Sequence, residues 1–365
     1  MKKYFVATFS LFVMTSAVYS QSNKPIVVTR LTQEQQAQRL YNEALSQYNQ
    51  KKYDAAISYL NNALKTYDGL KEAYILKANI QQDKDEPLEA IKTSMLLIDK
   101  IQGKDSAYYM VSKLYYDMKN YNSALEYAQK AVEFSTSNYN YYYLKALSNL
   151  GLKQYEDAIK DFTSAIALNN SSAELYNDRG SANYMAGNYQ EAVSDYSEAI
   201  KVVGEATTMN EWGEPIYGKC VYYNNRGNAY YASGQLSQAI EDFSMSIETG
   251  GDYYPAYLNR GIAQIASFAF KEAVEDFSKC IQLNGKSYVA YNYRGIAYFK
   301  MKNYQNAVFD FDQAISFNSQ YAEAYLHRGN AKEMLRQPDL ACEDWKYAAQ
   351  LGITKAEEYF NNQCK

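Results

Sequence analysis

Hydrophobic and small residues recur along this chain with two nested periods. The long period is 34 residues: Ala56, Ala90, Ala124, Ala158 and Ala192 follow at that interval, as do Ala239, Ala273, Ala307 and Ala341 after one interval of 47. Twelve residues before each alanine stands a small residue, Ala44, Ala78, Ser112, Ala146, Gly180, Gly227, Gly261, Gly295 or Gly329. Four before that is Leu40 in the first copy and Tyr in the other eight, from Tyr74 to Tyr325. With the small residue numbered 8 and the alanine 20, the short period emerges. Positions 4, 8 and 11, and again 20, 24 and 27, are spaced i, i+4, i+7, which is one face of an α-helix. Position 21 is apolar in eight copies, from Ile57 to Val308, and is Cys342 in the last. Breakers such as Ala186-Gly187-Asn188 and Ser233-Gly234-Gln235 separate the two helical stretches. The pattern predicts nine helical hairpins. One hairpin cannot bury its own stripe, so the copies must stack.

Tyr257-Leu258-Asn259-Arg260-Gly261 in the first helix and Ala273-Val274-Glu275-Asp276-Phe277 in the second carry a resemblance to a known family. The pattern closely resembles the tetratricopeptide repeat (TPR) family over Ala37 to Lys355. That resemblance implies an all-α fold, a right-handed superhelical solenoid of TPR helical hairpins, with helix A of each hairpin lining a concave groove. Two departures stand out. Helix A carries Tyr where the family usually has Trp, and the family's Pro near position 32 is absent from every copy, which leaves the turns between repeats less sharply fixed. The first three copies have Leu60, Ser94 and Ala128 in place of an aromatic at position 24, so the N-terminal end is expected to be the more loosely specified one.

The resemblance also implies that positions 2, 5, 6, 9, 12 and 13 face the groove. Position 5 then supplies Tyr41, Tyr109, Tyr143, Asn177, Asn224 and Asn292; position 6 supplies Asn225, Asn259 and His327; position 9 supplies Asn79, Asn228 and Asn330; position 12 supplies Tyr48, Tyr116, Tyr184, Tyr231 and Phe299. An Asn amide both donates and accepts and so matches a peptide bond without reading a side chain. Tyr adds flat area and a hydroxyl at little entropic cost. The family's clamp for C-terminal carboxylates needs basic groove residues, and position 5 holds no Lys, which excludes that subtype.

Charge is patterned too. Position 7 is Lys145, Arg179, Arg226, Arg260, Arg294 and Arg328, and position 23 is Asp161, Asp195, Asp242, Asp276, Asp310 and Asp344. Both sets are missing from the first three copies. Their joint appearance predicts ion pairs that fix register in the scaffold.

The ends read differently. Met1-Lys2-Lys3, an uncharged apolar stretch to Ser20, and small residues before Gln21 form a secretory signal peptide over 1–20. This places the mature chain in the periplasm or outside the cell, without a transmembrane segment after cleavage. Residues 21–36 form a lead in which Thr32-Gln33-Glu34-Gln35 is a capping box. Five repeats follow over 37–201, four more over 220–355, and a capping helix over 356–365 that is opened by a second box at Thr354-Lys355-Ala356-Glu357. Cys342 and Cys364 flank a turn at residue 353, and an antiparallel pair folded there brings the thiols together as a disulfide. The insertion at 202–219 holds Gly204, Trp212, Gly213 and Pro215; Trp212 is a loop candidate for partner binding, or packs down to hold the insertion.

Composition narrows the function. The chain of 365 residues has 40 Tyr, one His, four Cys and a net charge of −4. That excludes a basic nucleic-acid footprint, a His-rich metal site and a dithiol motif. There is no phosphate loop and no nucleophile elbow, so neither catalysis, metal nor cofactor is expected. Only Glu205, Glu211 and Glu214 in the insertion offer carboxylates for a hydrolase. The leading expectation is a non-catalytic scaffold that binds an extended peptide or partner protein in the groove. The alternative is glycan or envelope-polymer binding by the same Tyr and Asn residues.

Overall fold

The computed structural model describes residues 31–100, 104–204 and 218–364. The expected signal peptide, most of the expected lead, and Trp212 with Glu205, Glu211 and Glu214 lie outside the described residues. Two compact units divide at Lys77–Ala78. The first holds α1 (Gln33–Asn49), α2 (Tyr53–Thr66) and the start of α3 (Lys71–Asp83). The second holds the rest of α3 and then α4 (Pro87–Lys100), α5 (Asp105–Asp117), α6 (Tyr121–Phe134), α7 (Tyr139–Gly151), α8 (Tyr155–Leu168), α9 (Ala173–Ala186) and α10 (Tyr189–Val203). It continues with α11 (Gly218–Ala232), α12 (Leu236–Gly250), α13 (Tyr254–Ala266), α14 (Phe270–Leu283), α15 (Tyr288–Lys300), α16 (Tyr304–Phe317), α17 (Ala322–Met334), α18 (Pro338–Gln350) and α19 (Thr354–Gln363). Odd-numbered helices up to α17 are helix A of a repeat and the next even-numbered helix is helix B. Within the second unit the helical hairpins stack in chain order as an all-α solenoid, and α19 packs on α18 at its C-terminal end.

Local chemistry explains the helix boundaries. Thr32 caps α1 with a reciprocal capping box, its hydroxyl accepting from the Gln35 N–H while the Gln35 side chain accepts from the Thr32 N–H. Every A–B turn ends in a left-handed residue at the same repeat position. It is Gly187 and Gly234 in two repeats, and Lys51, Asp85, Lys119, Lys153, Phe268, Lys302 and Arg336 in the others. The turn geometry is therefore fixed by stacking of the two helices, which outweighs the ~1 kcal/mol that a side chain adds in this region. The missing proline in the B–A turns is replaced by an Asx turn. Asn169, Asn284 and Asn318 each accept, through the side-chain oxygen, from the N–H two residues on, at 3.1 to 3.3 Å. These turns are thus fixed by a side chain instead of a ring.

Packing within a hairpin follows the repeat. The alanine at position 20 is fully buried in all nine copies. In the last five, a Cβ placed on the glycine at position 8 would lie 2.7 to 2.9 Å from the ring at position 24: Gly180 from Tyr196, Gly227 from Phe243, Gly261 from Phe277, Gly295 from Phe311 and Gly329 from Trp345. Each ring occupies the space left by the missing methyl. Full burial of each ring contributes roughly 2–3 kcal/mol.

The C-terminal cap corrects one expectation. Thr354 lies inside α19 and Ile353 is the N-cap, with no side-chain cap bond. The helix is held by packing and a covalent link. Trp345 packs on Tyr359 at 5.4 Å, Ala356 is fully buried beside it, and Cys342 is bonded to Cys364 with the Cα atoms 5.7 Å apart. Cys220 and Cys280 are buried thiols.

Candidate functional site

The site is best read by first separating polar groups that hold the scaffold from those that do not. Each position-7 arginine sits on helix A with its guanidinium between two B helices. Arg294 donates from Nε and Nη2 to the two carboxylate oxygens of Asp310, both at 2.8 Å, and from Nη1 to Ser278 Oγ of the preceding repeat at 3.0 Å. Arg179, Arg226, Arg260 and Arg328 repeat this fork on Asp195, Asp242, Asp276 and Asp344, and reach back to Thr163, Ser197, Ser244 and Asp312. Each also lies over the position-4 Tyr of its own helix, at 5.3 to 5.9 Å. The expected pairs therefore exist, and one arginine ties three consecutive helices. Lys145 pairs with Asp161 at 2.9 Å but is too short to cross. The cleft it faces, lined by Gln129, Asn149 and Asp161, has a volume of about 510 Å³, against about 250 Å³ where Arg179 crosses the next one.

The opposite face belongs to the A helices. Consecutive A helices approach one another directly at five junctions, α5–α7, α9–α11, α11–α13, α13–α15 and α15–α17, whereas no pair of consecutive B helices comes as close among the described residues. A layer whose A helices approach more closely than its B helices curves toward the A side, so the A face of the second unit is the concave one.

Several residues expected to line a groove are spent at these junctions. Asn224 and Asn292 are 5% and 2% exposed, which removes them from any surface. Asn224 accepts from Asn259 Nδ2 at 3.0 Å, Asn177 accepts from Asn225 Nδ2 at 2.9 Å, and Asn292 Nδ2 approaches the Tyr321 hydroxyl at 3.4 Å. Tyr109 packs on Tyr141 at 5.3 Å. Tyr143 donates its hydroxyl to Asp178 at 2.8 Å, with Glu174 3.2 Å away, and burial followed by the charge of Asp178 pushes its pKa well up. Asp178, which sequence reasoning passed over, is itself pushed above the usual carboxylate range by burial. The Asn177–Asn225 and Asn224–Asn259 pairs bridge neighbouring A helices because a buried carboxamide needs a partner and the next repeat supplies another amide, whereas Asn292 meets a Tyr hydroxyl and its Oδ1 accepts no hydrogen bond among the described residues. Tyr184 and Tyr231 stay exposed and Asn228 stays half-buried.

Near the C-terminal end the face holds a depression of about 150 Å³, lined by Ile296, Phe299, Lys300, Phe311, His327 and Asn330. His327 stacks on Phe311 at 5.8 Å, and burial holds its pKa down to about 4, so the ring is neutral near pH 7.

Comparison with known proteins decides the family. Models described as tetratricopeptide repeat match residues 40–69, 143–206 and 288–321, and one described as anaphase-promoting complex, cyclosome, subunit 3 matches 88–162. A solved tetratricopeptide repeat protein from Parabacteroides merdae aligns with a TM-score of 0.55 and 19% identity, over 72% of this chain and 99% of that one. The chain belongs to the tetratricopeptide repeat family. The C-terminal part of a TPR protein from Cytophaga hutchinsonii gives a TM-score of 0.55 at 17% identity, over 68% of this chain and 98% of that one. At this identity the likeness is one of fold. Among curated proteins, DnaJ homolog subfamily C member 3 of Gallus gallus is 30% identical over 105 residues, which is 29% of this chain and 21% of that one. The TPR chain thus matches about a fifth of that relative's length.

Within this TPR scaffold, no group of three or more His, Cys, Asp or Glu among the described residues could hold a metal ion, and no helix among them is long and apolar enough to cross a membrane. What the concave face offers is neutral hydrogen-bonding groups and rings. The ring pairs at its edge, Tyr116–Tyr121 and Tyr184–Tyr189, are tilted by 58° and 56°. The depression beside His327 is the feature that residue types alone hid. The one available signal was that a histidine stands at position 6, where the preceding repeat has Tyr293.

Proposed function

We propose that this TPR protein is an exported, non-catalytic scaffold that holds an extended segment of a partner protein along the concave face of repeats 5 to 9. The observation that carries the reading is how the polar groups divide. The position-7 and position-23 charges of these repeats are paired inside the scaffold, so Tyr184, Tyr231, Asn228 and the His327 depression are left to face a ligand. Exposed Tyr and half-buried Asn suit a peptide backbone. A glycan site would show an aromatic platform with carboxamides beside it, and the 56° tilt between Tyr184 and Tyr189 offers no flat two-ring platform in these repeats, which supports the peptide reading. Export rests on the basic, apolar and small-residue order of residues 1–20.

The test is capture from an envelope fraction of the source organism, using the mature chain, a Tyr184→Ser/Tyr231→Ser variant and Trp212→Ala. Both tyrosines are exposed, so the double variant should fold normally. A protein retained by the wild type and lost from the double variant is the expected result. Recovery equal to an empty support, or unchanged by the double variant, would overturn the groove reading.

A further inference from the structure

We propose that the depression between repeats 8 and 9 is an anchor pocket for an apolar side chain of aromatic size that has a carboxylate beside it. The inference rests on the concave-face reading above and specifies the chemistry of one point on it. Volume comes first. At about 150 Å³ the depression is the size that holds a benzene ring in a dry cavity. Its apolar wall is Ile296, Phe299 and Phe311.

The repeat shows why the space exists. One repeat earlier, Tyr293 stacks on Phe277 at 5.7 Å with an 18° tilt. His327 makes the same stack on Phe311, at 5.8 Å and 26°. Position and geometry recur within the chain, but an imidazole is smaller than a phenol and so fills less of the space beside Phe311.

The polar lining points one way. Trp345 Nε1 donates to Asn330 Oδ1 at 3.0 Å. An indole N–H can only donate, so the amide orientation is fixed and the Asn330 NH2 is turned from Trp345 toward the space it lines. Lys300 also lines the depression, its charge acting on His327, and the neutral imidazole of His327 carries one N–H. No carboxylate lines the pocket; Glu323 interacts with His327 from one turn earlier on α17 but is not part of the wall. An apolar wall with donors and a cation beside it complements an apolar group with an anion attached. That anion is the side chain of an Asp or Glu next to the anchor residue, because a terminal carboxylate would need the basic groove residues that position 5 lacks.

His327 is the only histidine, so its ring signal in an NMR spectrum reports on this pocket without ambiguity. Three probes are titrated into the whole chain at pH 7: N-acetyl-Asp-Phe-amide, N-acetylphenylalaninamide and N-acetylphenylalanine. N-acetyl-Asp-Phe-amide should shift the His327 signal saturably with a Kd of about 1 mM, as expected for a ligand of this size. The neutral amide should bind at least about fivefold more weakly. Tighter binding of N-acetylphenylalanine than of N-acetyl-Asp-Phe-amide would overturn the assignment to a side-chain acid. Lys300→Gln should reduce N-acetyl-Asp-Phe-amide to the level of the neutral amide. His327→Tyr, which copies the Tyr293–Phe277 stack and so should fold, should abolish binding as read at the Trp345 indole N–H. No saturable shift with any probe, equal binding of the amide, or binding that survives His327→Tyr overturns the pocket. Those outcomes alongside successful partner capture remove this site alone; saturable binding with no captured partner removes the scaffold reading and leaves the pocket.

Discussion

Removing Arg294 should cost more than removing its partner Asp310, although both deletions break the same ion pair. The Asp310 side chain is 1% exposed and that of Arg294 is 18% exposed. Arg294→Ala therefore leaves a carboxylate that cannot reach water, at a cost of about 3–5 kcal/mol. Asp310→Ala leaves a guanidinium that still donates to Ser278 and can turn to solvent, which puts the cost at about 1–3 kcal/mol. Burial already pushes the Asp310 carboxyl above its ordinary pKa despite Arg294 beside it.

The third repeat supplies the control. It has Val111 and Tyr127 at these two positions, with Tyr127 stacked on Tyr115 at 5.7 Å. The eighth repeat has Tyr298 where the third has Tyr115. Arg294→Val combined with Asp310→Tyr should therefore stay within about 1–2 kcal/mol of the wild type, better than Arg294→Ala alone. Hydrogen exchange of peptides from α15 and α16 is the suitable assay, because a repeat array need not unfold as one unit. An Asp310→Ala cost equal to or above that of Arg294→Ala, or a double variant worse than both singles, would refute the reasoning.

Three further outcomes are expected. The His327 ring should titrate near pH 4; between pH 6.5 and 4 the unfolded chain binds a proton that the native one refuses, so the last repeats lose up to about 3 kcal/mol as pH falls, and an NMR midpoint at 6.5 would contradict this. Reducing the Cys342–Cys364 bond, which spans 22 residues, should destabilise α19 by about 3 kcal/mol, seen as faster proteolysis at the C-terminus without change in the earlier repeats. Phe268 is 79% exposed at φ +65°, its ring edge-on to Phe270 at 6.1 Å, so Phe268→Gly should stabilise by about 0.5–1 kcal/mol in thermal melts, whereas a loss would show that the ring pair outweighs the backbone strain.

Much of the fold was legible in the sequence because each copy repeats the same physical problem. Spacing alone fixed two helices per unit. Joint occurrence of Arg at 7 and Asp at 23 identified partners, since charges that are buried must arrive in pairs. Gly at 8 and an aromatic at 24 also occur together in five copies, and that pairing was there to be read as one ring filling one missing methyl. The C-terminal box at Thr354 misled because the same residues fit inside the first turn, and packing around Trp345 set the helix start at Ile353.

Function was less legible. Residue type could not say which Asn and Tyr on helix A meet solvent and which bridge to the next repeat. Asn177, Asn224 and Asn292 occupy the same repeat position, yet two are buried. The outcome depends on what the adjacent repeat presents, an interaction across about 34 residues that one-dimensional spacing does not weigh. The sequence by itself determined the unit, its count and its internal bonds, because those follow from local periodicity and complementary residue types. Only the tertiary structure decided which polar groups are consumed and where a pocket opens, because both depend on differences of one side chain between stacked copies, such as His327 in the place of Tyr293.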